Sequence, residues 1–133
     1  MDRIFKTRHF ARWLRKTELT DAALCQAVRE MAAGLVDAEL GADVLKKRVA
    51  LPGRGKRGGA RTLVASKKID RWFFMFGFEK IEKANISPTE LDALQTLASE
   101  LLALTGQQLD IAVIDGSLQE ICHEPQTFNP KKC

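Results

Sequence analysis

Residues 44–79 read VLKKRVALPGRGKRGGARTLVASKKIDRWFFMFGFE. Three strands are written in that stretch. Val44 to Leu51 alternates, with Leu45, Val49 and Leu51 on one face and Lys46, Arg48 and Ala50 on the other. Pro52 to Gly59, PGRGKRGG, reads as a loop by its glycine and proline content. Ala60 to Ser66 forms a second strand, and Lys67 to Asp70 is a polar connection of hairpin length. Arg71 to Glu79 is the third. Its centre, Trp72 to Phe76, is apolar on both faces, which predicts a central strand covered on both sides. Strands joined in succession by short loops predict an antiparallel meander with helices packed on it.

Helices flank this core. Upstream, Arg3 to Thr7 reads as a short strand and Arg8 to Lys16 as a short helix. Thr20 can cap a second helix, with Leu24, Val28, Met31 and Leu35 along one face. Downstream, Ser87-Pro88-Thr89-Glu90 is a capping box with proline at the first helical position. Leu91, Leu94, Leu97, Leu101 and Leu104 make the stripe of that helix, and Gly106 can end it. Gln107 to Asp115 and Ser117 to Ile121 read as short helical pieces. From Cys122 onward a loosely ordered tail is expected. The order is β-α-α-β-β-β-α, an α+β fold over residues 1–105, followed by a helical extension and tail at 106–133.

The chain has 133 residues, 45% hydrophobic and 29% charged, the balance of a globular domain. Its longest apolar run, Trp72 to Phe78, is far shorter than a membrane span, and Met1 to Trp13 lacks the apolar run of a signal peptide. No membrane partner is expected. Cys25, Cys122 and Cys133 form no CxxC pair, so neither a disulfide framework nor a zinc site is predicted, and a reducing cytoplasm is the expected compartment.

The net charge of +4 hides an asymmetry. Residues 46–83 carry twelve basic side chains against three acidic ones, a net +9, whereas residues 84–133 carry a net −5. A +9 block is a candidate footprint for a polyanion, the alternative being a solvated basic face. It contains no histidine, since His9 and His123 both lie outside it, and GRGKRGG lacks the spacing of a P-loop. What it offers is Lys and Arg on a sheet face beside a glycine-rich basic loop. Arginine forks match phosphodiesters, and fixed cations stabilise charge that builds on phosphate oxygens during bond change.

The run Lys46-Lys47-Arg48-Val49-Ala50, the segment Gly53 to Arg61, and the stretches Gly77-Phe78-Glu79-Lys80 and Glu82 to Ile86 resemble the RelE/ParE toxin superfamily, in its HigB-like branch. The resemblance covers about residues 1–105. It implies a RelE-like fold and the toxin of a bacterial type II toxin–antitoxin pair. It further implies a ribosome-dependent mRNA endoribonuclease in which the RNA's own 2′-hydroxyl is the nucleophile, with no metal and no cofactor. By position it implies catalytic roles for Lys46, Arg48, Arg61, Lys80 and Lys83, and RNA-binding roles for Lys47, Arg54, Lys56 and Arg57. The implied partners are mRNA on the ribosome and a cognate antitoxin, of helix-turn-helix type. Two departures are visible: the chain has no tyrosine, which some relatives place near residues 85–87, and Ile81 stands where relatives often have asparagine. Two other readings stay open: a nucleic-acid binder that uses the same surface without chemistry, or a ParE-like inhibitor of gyrase that acts by protein contact and has no need of the Lys46, Arg48 and Arg61 set.

Overall fold

A computed structural model describes residues 2–53 and 55–122, with side chains described except at 55–57. The elements run β1 (Arg3–Thr7), α1 (Arg8–Leu14), α2 (Asp21–Ala32), β2 (Ala38–Glu39), β3 (Val44–Leu51), β4 (Gly55–Ala65), β5 (Arg71–Glu79), α3 (Pro88–Leu102), α4 (Gly106–Ile114) and β6 (Leu118–Ile121). The expected α+β meander is present: β3, β4 and β5 pair antiparallel in sequence order. The full sheet has six strands in the order β2-β3-β4-β5-β1-β6. β1 joins parallel to β5, and β6 joins antiparallel to β1.

Both faces of the sheet are covered. On one side α1 and α2 bury Phe10, Leu14, Leu24, Val28 and Met31 against Leu45, Val49, Val64, Trp72 and Phe74. On the other, α3 and α4 bury Leu94, Ala98, Leu101 and Leu109 against Phe5, Val44, Leu63, Phe73 and Met75. β5 lies inside the sheet between β4 and β1, and its apolar centre, Trp72 to Met75, is buried against both layers. Among the described residues no single helix is long and apolar enough to cross a membrane.

Five sequence expectations are corrected. The glycine-rich segment is mostly strand: β4 begins at Gly55, and an irregularity between Val49 and Leu51 lets Leu51 pair with Gly55. A β-bulge of this kind bends the strand pair and lets it continue through glycines. Ser117 to Ile121 contains the edge strand β6, not a helix. Gly106 opens α4, where Thr105 and Gln108 form a capping box, while α3 already ends at Leu102. Leu35 is exposed, because α2 stops at Ala32. Finally, Cys25 and Cys122 are joined in a disulfide with their Cα atoms 5.7 Å apart. The antiparallel pairing of Ile121 with Ile4 carries Cys122 to the α2 side of the sheet, a proximity that a separation of 97 residues conceals. The expected loose tail, with His123 and Cys133, lies outside the described residues.

Candidate nucleic-acid interface

Register decides which basic side chains meet. Arg48 on β3 lies directly opposite Arg61 on β4, and Arg61 lies opposite Phe78 on β5. One step along, Lys46 pairs with Leu63, and Leu63 with Phe76. Residues in register share a face, so Lys46, Arg48, Arg61, Phe76 and Phe78 line one strip of the sheet. Directly opposed positions bring Cβ atoms to about 4.5–5.5 Å, and the Lys46–Arg61 diagonal is about 7–8 Å. The strip lies on the face that α3 covers, beyond Val44 and Leu63, and not on a face lacking a core.

Its cations are held from the side. Asp37 accepts from the Arg48 backbone N–H at 2.7 Å and from Nε at 3.2 Å, leaving that side chain 44% exposed. The Arg61 guanidinium donates to the Gly59 carbonyl at 3.1 Å. A Cβ at Gly59 would collide with the Val49 carbonyl oxygen, so glycine is required where the two strands close up beside this arginine. Lys46 is half-buried, and Lys80 is exposed in the turn that follows β5.

Lys83 is brought near the strip but is committed elsewhere. Its ammonium donates to Glu90 at 2.6 Å and sits 5.6 Å from the centre of the Phe76 ring. That hydrogen bond, with further donation from the Ser87 backbone, holds the Glu90 carboxyl below its ordinary range. Lys47 does not join the strip. It is 3% exposed, faces the α2 layer, pairs with Glu30 at 2.8 Å and donates to the Leu35 carbonyl at 2.8 Å. Arg54 lies outside the described residues, as do the side chains of Lys56 and Arg57 on β4.

One residue at the strip's far end escaped the sequence reading. The imidazole of His9, at the start of α1, stacks on Phe76 with ring centres 5.5 Å apart and planes 8° from parallel. The parallel pairing of β1 with β5 ends at Lys6 and Phe74, which delivers the next residues of the chain to the side of Phe76. No local pattern announces that approach.

The family model described as the RelE toxin of the RelE/RelB toxin–antitoxin system matches residues 2–121, so it takes in α4 and β6 as well as the meander. No curated protein matches the chain. With the match spanning nearly the whole chain and a six-strand α+β fold of the expected order, this chain belongs to the RelE toxin family and is the toxin of a toxin–antitoxin pair, with an antitoxin as its partner.

Proposed function

We propose that this toxin is an endoribonuclease that cleaves mRNA on the ribosome, with the strip of Lys46, Arg48 and Arg61 as its phosphate site. The observation that supports it most is the facing pair Arg48 and Arg61. Like charges directly opposite each other on a sheet are destabilising. Asp37 stands beside Arg48, and a phosphodiester lying across the pair would place negative charge between the two guanidiniums. Attack by the adjacent 2′-hydroxyl piles charge onto the non-bridging oxygens. Two guanidinium forks already in place meet that charge without reorganisation. Lys46 adds a third cation on the diagonal, and Lys80 a fourth at the end of β5.

The segment from Gly53 to Arg61 and the stretches Gly77 to Lys80 and Glu82 to Ile86 support the HigB-like branch, from which Ile81 departs, and, with it, an antitoxin of helix-turn-helix type. Expression with transcriptome-wide mapping of mRNA 5′ ends tests the activity. Cleavage within translated reading frames is expected. Growth arrest without new mRNA ends, accompanied by trapped gyrase–DNA complexes, would replace this reading with the ParE-like one.

A further inference from the structure

β1 stops pairing with β5 at Phe74, but β5 runs on to Glu79. α1 packs against the edge of β5 left beyond that point. Between them lies a groove of about 290 Å³ lined principally by His9, Arg12, Trp13, Lys16, Phe76 and Lys83. Its volume is at the lower end of small-ligand sites, which start near 300 Å³. That suits one nucleotide better than several.

The lining has two chemistries. Stacked rings form its floor: His9 lies flat on Phe76, and because His9 is exposed its outer face is open to another ring. The Trp13 indole is fixed beside them, donating through Nε1 to Glu82 at 3.3 Å and filling the space that a side chain at Gly77 would take. Cations form the rim. Arg12 and Lys16 are exposed and make no ion pair among the described residues. Lys83 also lines the groove but is paired with Glu90, so Arg12 and Lys16 are the two cations that face the lining carboxylate of Glu82. Rings for stacking and cations for phosphate are how proteins hold unpaired RNA bases. An acidic peptide would use the cations and leave the stacked rings without a purpose. The groove is also continuous with the phosphate strip, since Phe78 contributes to both and lies opposite Arg61.

We infer that this groove is a subsite for one unpaired RNA nucleotide, whose base stacks on His9 beside Trp13 and whose phosphate sits between Arg12 and Lys16, next to the phosphodiester held on Arg48 and Arg61. The inference rests on RNA being the substrate, as proposed above.

Trp13 is its own reporter, because the second tryptophan, Trp72, is fully buried and tied to Asp2. The full-length toxin is titrated with three probes: a single-stranded RNA tetramer methylated at its 2′-oxygens, an abasic oligomer of the same backbone, and a peptide of Glu and Leu. Cleavage of ribosome-bound mRNA is measured in parallel. The RNA should shift Trp13 emission and the abasic oligomer should bind without shifting it. His9→Ala should weaken RNA binding about tenfold while leaving abasic binding unchanged, and His9→Phe should restore it. Arg12→Glu combined with Lys16→Glu should weaken both nucleic acids. Equal Trp13 responses to RNA and abasic oligomer, or full RNA affinity in His9→Ala, would overturn the subsite. A response to the acidic peptide alone would overturn it too, and would assign the groove to the antitoxin. Cleavage without the Trp13 and His9 effects removes the subsite and leaves the proposed reaction standing. Those effects without cleavage remove the reaction and leave the subsite.

Discussion

Lys46 and Lys47 are neighbours in the chain and have opposite fates. Alternation sends Lys46 to the strip with Arg48, and sends Lys47 into the α2 layer against Glu30. Sequence alone separated Lys46 and Arg48 from the apolar positions correctly. Alternation also sets Lys47 between Leu45 and Val49 on the apolar face, but the family resemblance assigns it to RNA, and its partner Glu30 on α2 has no local signal that marks the pairing. Removing one partner of a buried ion pair strands the other charge, which costs about 3–5 kcal/mol. Glu30 keeps some exposure, so Lys47→Ala should fall near the lower figure. Lys46→Ala should cost under about 0.5 kcal/mol, as expected of a substitution outside the core. Urea denaturation of the two variants checks this, and equal losses would mean that Lys47 is not held as described. His9 illustrates the opposite difficulty. Its contact with Phe76 depends on a parallel pairing between strands 60 or more residues apart, and nothing near His9 in the sequence encodes it.

Among the elements, those with local signals were legible. The Thr20 cap and the Ser87 capping box appear where the sequence puts them. Gly106 misled because it follows Thr105, and Thr105 with Gln108 is itself a start signal. β6 was missed because four residues carry too little pattern, and its partner β1 lies at the other end of the chain. The α3 start makes a pH prediction. The Lys83 hydrogen bond, then the Ser87 backbone, lower the Glu90 carboxyl below its ordinary value of 4.5. A depressed carboxyl contributes stability that is complete above its unfolded value and disappears as pH falls through the folded one. Glu90→Gln keeps a capping-box residue but no charge. Wild type should therefore melt above the variant at neutral pH, and the gap should close as the pH falls from the ordinary carboxyl value through the depressed one. A constant gap across that range would show that the charge contributes nothing. The α1–β5 junction gives another test. A Cβ at Gly77 would run into the Trp13 ring, so Gly77→Ala should destabilise by about 1–3 kcal/mol and alter Trp13 emission. Unchanged emission would contradict the packing of α1 on β5.

At the scale of the molecule, the disulfide ties α2 to the end of β6 and so fastens the edge of the sheet farthest from the meander. Closing so long a loop constrains the unfolded chain, and native disulfides typically contribute roughly 2–4 kcal/mol. Cys25→Ser should lower the melting temperature in oxidising buffer, and reductant should bring wild type down to the variant. No difference between the two in oxidising buffer would show that the bond does not stabilise the fold. The proposed phosphate site lies on the other part of the same sheet, where β3, β4 and β5 align Arg48, Arg61 and Phe78 in one row. That row gives the most direct test of the account. Purified wild type, Arg61→Ala and Lys67→Ala are each incubated with ribosomes paused on a defined mRNA, and cleavage rates are read by primer extension. Lys67 is exposed in the turn before β5, away from the strip, and its loss should leave the rate near wild type. Removing one preorganised donor to a charge-bearing oxygen typically costs about 100- to 1000-fold, and Arg61→Ala should lose that much while remaining folded. Equal cleavage by the two variants would contradict the assignment of the Arg48–Arg61 strip as the site of reaction.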